Sequence, residues 1–310
     1  LALETLERIK KRKEPFFRAL GYFRPHLPFV APKKYWDLYD PQQIPMAENN
    51  FIPFNSPSMA LYNQREMNGC YDLEYVKPPA YFRMPDSVAR VLKQGYYASV
   101  SYVDACIGRV VDALEKQQLM DNTIIVLWGD HGWKLGEHNA WGKQTNFLND
   151  TRVPLVVYAP GMKNAGARNT ELVELVDLYP TLCDLAGIET PAYLQGASFK
   201  PLLNETGLAW KQAVFNQFLR PAGEGIDIRK NHFMGYSMVT KNHHLVEWYY
   251  WDKKKNEPGS LVTCELYDLQ NDPQENFNIA VYPESRALIE ELSTQRQQGW
   301  TGIKNKLPAK

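Results

Sequence analysis

The stretch Thr123-Ile-Ile-Val-Leu-Trp-Gly129 is an apolar, largely β-branched run, and the polar loop Asp130-His-Gly-Trp-Lys-Leu-Gly-Glu-His138 follows it directly. Such a run is typical of a central strand in a parallel sheet. Val153–Ala159 predicts a second strand, and apolar spacing predicts helices over Ser87–Gln118 and Glu171–Leu185. The alternation of helices and strands favours a doubly wound α/β sheet.

Toward the amino terminus, residues 1–13 predict an amphipathic helix that Pro15 ends, and Phe16–Tyr22 predicts a buried strand. Residues 30–86 are rich in Pro, Asn and Tyr with little periodicity, which predicts an irregular stretch that wraps the surface or carries a function. No initiator Met and no N-cap precede the first helix, so we expect the sequence to be a part of a longer protein.

Toward the carboxyl terminus the pattern changes to short strands joined by turns. The predicted elements are strands at Ala213–Leu219, Phe233–Thr240, His244–Trp251 and Cys264–Asp268, and a closing helix at Pro283–Gln298. This pattern predicts a small antiparallel sheet with one helix. We therefore expect a catalytic α/β unit over residues 1–195 and a small α+β subdomain over residues 196–310.

Composition excludes several classes of protein. The 310 residues carry 35 basic and 35 acidic side chains, and 44% are apolar, which excludes global disorder and gives no basic surface for nucleic acid. The longest apolar run is far shorter than the roughly 20 residues needed to span a bilayer. We therefore expect neither a nucleic acid nor a membrane as partner. The four cysteines form no CxxC pair, which argues against a zinc ribbon.

The loop after the predicted strand concentrates ionisable side chains. Asp130 and His131 stand at the strand's carboxyl end, where open α/β sheets bind ligands, and a carboxylate beside an imidazole could ligate a metal. His138 and Lys143 follow on the same loop as a possible proton donor and a fixed cation. The alternative is structural, with Asp130 capping a turn and His131 packing against Trp133.

A wider set of motifs points to one family. The loop Gly129–His138 with Trp141-Gly-Lys143, and Gly21-Tyr-Phe-Arg-Pro-His-Leu-Pro-Phe29 before it, resemble the sulfatase family in the branch of iduronate-2-sulfatase and its bacterial relatives. Further matching motifs follow in the same order, namely Gln94–Asp104, Thr151–Leu155, Glu174–Leu182, Gly196–Leu203, Met234–Ser237 and Glu265–Pro273. The resemblance covers nearly the whole chain. It implies an alkaline-phosphatase-like α/β fold, a mixed sheet flanked by helices, with a small carboxyl-terminal antiparallel sheet and one helix.

The resemblance also implies roles for individual residues. Asp130 and His131 would be metal residues of one Ca²⁺ site, and His26 and Lys143 would be catalytic residues that contact the sulfate group. His138, Trp133 and Lys134 would join His26 and Lys143 in binding substrate. The family's formylglycine motif, C/S-x-P/A-S/T-R, does not occur in these 310 residues, and the paired aspartates of the first metal strand are missing too. We therefore expect an amino-terminal portion of the same protein to supply the nucleophile and share the Ca²⁺ site, and this chain to be active only with it.

The function expected from the resemblance is hydrolysis of a sulfate ester on a sulfated saccharide, with the 2-O-sulfate of a terminal uronate favoured. Lys134, Arg220 and Arg229 are candidates for holding a uronate carboxylate. The alternatives are a phosphate or phosphonate ester hydrolase of the same superfamily, or a saccharide-binding fragment without activity. The family's role in glycosaminoglycan and polysaccharide degradation implies a periplasmic, secreted or lysosomal location.

Overall fold

The computed structural model describes residues 1–12, 14–62, 64–222 and 231–304. Its helices are α1 (Ala2–Arg12), α2 (Lys33–Trp36), α3 (Arg65–Asn68), α4 (Asp86–Lys116), α5 (Leu148–Thr151), α6 (Leu178–Ala186) and α7 (Arg286–Lys304). Its strands are β1 (Ile125–Trp128), β2 (Lys134–Leu135), β3 (Trp141–Gly142), β4 (Leu155–Tyr158), β5 (Ala213–Arg220), β6 (Phe233–Thr240), β7 (His243–Asp252) and β8 (Glu257–Asp268). Within these described ranges, no helix is both long enough and apolar enough to cross a membrane.

Strand β1, the predicted central strand, pairs antiparallel with β4, in a register that places Ile125 opposite Tyr158. In the described part of the chain β4 is its sole strand partner, so the expected parallel neighbours of β1 are not among these residues. One face of the pair packs on a core that includes Leu178, Phe199 and Leu202. The other face exposes apolar side chains, with Leu127 at 39% and Val156 at 58% exposure, and Trp128, which ends β1 on the core side, is 47% exposed.

The predicted buried strand over Phe16–Tyr22 is wrong as a description of this structure. The segment is neither helix nor strand, and its side chains are exposed, Phe17 by 86%. A strand needs a neighbour to satisfy its backbone N–H and C=O groups. Among the described residues no strand pairs with this segment, so its local β propensity does not lead to a strand.

Helix α4 confirms the long predicted helix and organises the irregular stretch before it. Its small residues allow close packing, since a Cβ at Gly95 would lie 2.7 Å from the ring of Trp36. Side chains of α4 also bind loop backbone: Arg90 donates to the carbonyls of Pro41 and Ile44, and Gln94 donates to that of Tyr39. Residues 36–44 therefore pack along α4, whereas Phe54 of the same irregular stretch pairs with Phe277 in the carboxyl-terminal part.

Helix α6 begins later than predicted. The residues before it form a 3₁₀ turn over Leu175–Asp177, closed by a reciprocal capping box between Glu174 and Asp177. Both carboxylates also bind Lys211, at 2.6 and 2.7 Å, so they serve a cross-chain contact as well as the turn. The predicted stop is confirmed, because Gly187 adopts φ +67°, a left-handed conformation that favours glycine.

The carboxyl-terminal part is an antiparallel sheet in the order β5-β6-β7-β8, with α7 packed against it. Its core contains Met238, Leu245, Leu266 and Leu292, the last from α7. This confirms the predicted small antiparallel sheet with one helix, although β8 starts at Glu257 rather than Cys264. The predicted division at residues 195/196 stays a prediction, and the Lys211–Asp177 ion pair joins the two sides.

Candidate functional site

The loop after β1 places Asp130 and His131 side by side at the surface. The His131 amide donates to Asp130 Oδ1 at 3.0 Å, His131 Nε2 lies 3.6 Å from Asp130 Oδ2, and the imidazole Nδ1 bonds the Gly132 carbonyl at 2.8 Å. The Asp130 side chain is 86% exposed. Gly132 allows this turn, because a Cβ there would lie 1.8 Å from the carbonyl oxygen of Asn149. Both predicted metal residues are therefore adjacent and accessible.

Lys143 and His26, the two predicted catalytic residues, also come together although 117 positions separate them. The Lys143 ammonium lies 3.3 Å from His26 Nε2, 2.9 Å from Glu66 Oε1 and 5.0 Å from the centre of the Trp133 ring. His26 Nδ1 bonds the Leu27 carbonyl at 2.8 Å, which leaves Nε2 as the acceptor for Lys143. The structure thus places a cation, an imidazole and an indole at one point.

The loop that carries His26 is held by a neighbouring cation. Arg24 donates through Nε to the Val30 carbonyl at 3.0 Å and through Nη1 to the His26 carbonyl at 3.2 Å. Such bridging of two carbonyls by one guanidinium fixes the loop that presents the imidazole. The ring of His26 is exposed, with Trp133 6.5 Å away between ring centres.

Lys134, a predicted substrate contact, is placed elsewhere. It is 1% exposed, and its ammonium donates to Asp150 Oδ1 at 2.6 Å and to Thr145 Oγ1 at 2.8 Å. Burial lowers the pKa of Lys134, and the charge of Asp150 opposes that shift. We correct its role to that of a buried ion-pair partner that fixes the loop between β2 and α5.

His138 likewise has no surface on which to meet a substrate. It is fully buried, its Nε2 bonds the Gln274 carbonyl at 2.8 Å, and its ring lies 4.4 Å from that of Phe147. Burial, with a smaller contribution from the Lys134 charge, lowers the pKa of His138 to about 4. It is therefore neutral at physiological pH, and its buried ring braces the loop.

Of the predicted carboxylate-binding cations, Arg220 is also buried and donates to the backbone carbonyls of Met59 and Gln144. Arg229 lies outside the described residues. Neither Lys134 nor Arg220 therefore presents a charge at the surface of this structure.

Sequence reasoning missed Glu66, which pairs with Lys143 from the irregular stretch. It also missed a buried chain of polar groups in which Ser237 Oγ bonds His244 Nε2 at 2.6 Å and His244 Nδ1 bonds Glu275. The motifs quoted above contain Ser237, but nothing in their spacing joins these residues. A separate cavity of about 860 Å³ is lined by Lys93, Glu137, Arg152 and others, and none of the predicted metal or catalytic residues lines it.

Comparison with protein families gives two matches. The family described as Sulfatase matches residues 1–188, and the family described as N-sulphoglucosamine sulphohydrolase, C-terminal, matches residues 136–300. Among curated proteins, iduronate 2-sulfatase of Mus musculus is 31% identical over 90% of this chain and 60% of its own length. The chain thus spans about three fifths of that relative.

Two solved structures show the same architecture. One, described as BT4656 in complex with its substrate D-glucosamine-2-N,6-O-disulfate, has a TM-score of 0.77 at 22% identity and covers 98% of this chain and 69% of that one. The phosphonate monoester hydrolase of Silicibacter pomeroyi has a TM-score of 0.73 at 25% identity and covers 94% and 56%. These neighbours confirm the predicted alkaline-phosphatase-like fold.

Proposed function

Since the chain belongs to the sulfatase family, whose model matches residues 1–188, we propose that it forms part of a sulfuric ester hydrolase that acts on a sulfated saccharide. One observation carries the proposal more than any other. Lys143 and Trp133, from the loop after β1, converge on one point with His26, which is 117 positions away from Lys143 in the sequence. A cation, an imidazole and an aromatic face are the groups that recognise an anionic group on a sugar.

In the proposed reaction Lys143 donates to the sulfate oxygens as negative charge accumulates on them, and His26 contacts the same group. The leaving alkoxide needs a proton, and His26 supplies it from Nε2 in its doubly protonated form. Without substrate Nε2 accepts a hydrogen bond from Lys143, so the imidazole takes up a proton there before it acts as the acid. Glu66 holds the ammonium in place before substrate arrives, at 2.9 Å.

Asp130 and His131 would hold the proposed calcium ion. The fit is partial, because a carboxylate suits a hard cation and an imidazole suits it less. Across the described ranges no three His, Cys, Asp or Glu side chains cluster closely enough to form a metal site by themselves. We therefore propose that further oxygen ligands come from an amino-terminal portion of the same protein. A bound calcium ion would neutralise charge on the sulfate oxygens.

The proposed nucleophile is a formylglycine from that same portion. Two observations support a contribution from outside this chain: the motif C/S-x-P/A-S/T-R is absent from its 310 residues, and β1 and β4 expose an apolar face. When present, formylglycine in hydrated form supplies the oxygen that attacks sulfur. The chain would be inert alone on this proposal.

The proposed substrate is a saccharide with a 2-O-sulfated uronate at its non-reducing end, from a glycosaminoglycan or a related polysaccharide. The similarity to a protein named iduronate 2-sulfatase supports it, as does the indole of Trp133 beside Lys143. Degradation of such polymers would place the protein in the periplasm, the lysosome or outside the cell.

A second candidate is hydrolysis of phosphate or phosphonate monoesters, which the likeness to the Silicibacter pomeroyi hydrolase favours. The complete polypeptide, incubated with defined sulfated oligosaccharides and with a phosphonate monoester, separates the candidates. We expect loss of the terminal 2-O-sulfate, seen by mass spectrometry. Release of sulfate from internal residues or from 6-O-sulfated glucosamine would reject the uronate substrate. Preferred hydrolysis of the phosphonate monoester would support the second candidate. Binding of the oligosaccharide without turnover would indicate a saccharide-binding fragment without activity.

A further inference from the structure

The backbone that follows Lys143 is held by the carboxyl-terminal sheet. Arg220 of β5 donates from Nη2 to the Gln144 carbonyl at 2.9 Å, and Asn216 of the same strand donates to the Asn146 side chain at 2.8 Å. At the far end of the segment the Leu148 amide donates to Glu275 Oε2 at 2.7 Å. Residues 144–148 are therefore fixed at both ends by groups distant in sequence.

The first residue of this segment has an unfavourable backbone conformation. Gln144 adopts φ +77°, the left-handed region that favours glycine, and it directly follows Lys143. A non-glycine residue in this conformation persists where surrounding contacts over-determine it, and such residues cluster at functional sites. The bond from Arg220 to the Gln144 carbonyl is a contact that can hold it.

Arg220 is suited to this task by its own surroundings. It is fully buried and donates from Nε to the Met59 carbonyl at 3.0 Å, so one guanidinium bridges the irregular stretch and the Lys143 loop. The rings of Tyr62 and Phe218 lie 5.5 and 5.2 Å from its Cζ. A rigid planar fork between fixed neighbours holds a carbonyl more closely than a flexible ammonium does.

We propose that Arg220 is a positioning residue for Lys143: by holding Gln144 in its left-handed conformation it sets the direction in which the Lys143 ammonium meets His26. The proposal rests on the function proposed for Lys143 above. Arg220 itself is buried and acts through the backbone. The physical reason for an effect on rate is that misplacement of a catalytic group by about 1 Å costs up to 10²-fold.

The test begins with Arg220→Gln in the complete polypeptide. We expect kcat and kcat/KM for a sulfated oligosaccharide to fall together by about tenfold, since Lys143 acts on the transition state. In a Lys143→Met background the same change should cost less than about twofold, because residues that act through one another are not additive. Equal losses in both backgrounds would overturn the proposal.

The backbone at position 144 supplies the matched control. Glycine adopts positive φ at little cost, so Gln144→Gly should leave activity within about twofold and should restore at least about threefold of the loss in Arg220→Gln. Valine disfavours positive φ, so Gln144→Val should reproduce the loss of activity with Arg220 intact. This variant provides the test if Arg220→Gln does not fold. Absence of rescue by glycine, or full activity of the valine variant, would contradict the proposal.

A readout independent of activity separates this proposal from the proposed function. Hydrogen exchange followed by mass spectrometry should show amides 144–148 exchanging about tenfold faster in Arg220→Gln, and slower again once Gln144→Gly is added. This holds even if the wild-type protein hydrolyses no sulfate ester. Unchanged exchange in Arg220→Gln would reject the positioning role whatever the enzyme's substrate.

Discussion

Two regions of the molecule pair a carboxylate with a histidine, and their surroundings are opposite. Asp130 and His131 lie on an open loop, where the Asp130 side chain is 86% exposed and its contacts are local. His244 and Glu275 lie inside the carboxyl-terminal region, fully buried, and bond to each other as well as to Ser237 and the Leu148 amide. The polar atoms of Asp130 and His131 remain accessible to a ligand, whereas those of His244 and Glu275 are bonded within the protein and stabilise the fold.

The same contrast separates two lysines of one loop. Lys134, with 1% of its side chain exposed, pairs with Asp150 inside the protein. Lys143, with 10% of its side chain exposed, pairs with Glu66, which is 28% exposed, and contacts His26 at the protein surface. Residue type is the same in each case, so environment decides the role: a buried charge is retained only with a partner, and an accessible one can meet a ligand. The following predictions test this division.

The largest effect is expected at Asp130. Asp130→Ala should lower kcat of the complete enzyme by 10³-fold or more, on the order of a lost metal site, and should abolish calcium retention measured by elemental analysis. Its exposed side chain makes few contacts, so with calcium removed from both proteins the thermal midpoint should match that of the wild type. The matched control is Asp121→Ala, an exposed aspartate at the opposite end of β1, which should keep both rate and calcium. Retained calcium in Asp130→Ala would refute the metal role.

Next is Lys134, whose loss should appear in stability. Lys134→Met leaves Asp150 as a buried charge without its cation and should lower the free energy of unfolding by about 3–5 kcal/mol, measured by denaturant titration. Adding Asp150→Asn removes that charge and keeps an acceptor for the Thr145 amide, so it should recover part of the loss. Lys143→Met should destabilise the protein less than Lys134→Met does and should lower activity more. The reverse ranking would contradict the assignment of a structural role to Lys134 and a functional role to Lys143.

A pH effect is expected from Glu265, which binds Trp248 and Tyr267 inside the sheet. Burial raises the pKa of Glu265 to about 7 from its ordinary 4.5. The folded protein therefore holds this proton more tightly than the unfolded chain, and the stability it contributes is present below pH 4.5 and is lost as pH rises through 7. Between pH 4.5 and 8.5, wild type should lose on the order of 3 kcal/mol relative to Glu265→Gln.

The quantity to measure is the difference in free energy of unfolding between wild type and Glu265→Gln at each pH. His138 is present in both proteins and changes the stability with pH in the opposite direction. Burial lowers the pKa of His138 to about 4, so its contribution grows as pH rises from 4 to 6.5. His244 and Glu275 lie close to Glu265 in the same interior and are common to both proteins. Parallel stability curves for wild type and Glu265→Gln would reject the assignment.

The smallest effect is expected at Trp133. Its ring lies 5.0 Å from the Lys143 ammonium, a contact worth about 0.5–1 kcal/mol. Trp133→Ala should therefore raise KM for a sulfated oligosaccharide by about two- to fivefold, and Trp133→Phe should stay within about twofold. An unchanged KM in the alanine variant would leave the ring as a packing residue of the loop.

The sequence pattern predicted the helices and strands whose formation depends mainly on residues close together in the chain. The spacing of apolar residues gave α4 within two residues at each end, and the β-branched run gave β1. It failed at Phe16–Tyr22, because strand formation depends on a partner that no local pattern reveals. It also extended α6 into Glu171–Asp177, where Glu174 and Asp177 instead serve a capping turn and bind Lys211.

The candidate site divides in the same way. The motifs by themselves determined the family, the fold class and the four groups that the structure leaves near the surface: Asp130, His131, His26 and Lys143. Which of the other polar residues are accessible was decided only by tertiary structure. The partners that bury them lie far away in sequence, 76 residues for Arg220 with Gln144 and 127 for Glu275 with Leu148. Burial and pairing are properties of the assembled chain, and residue type alone does not specify them.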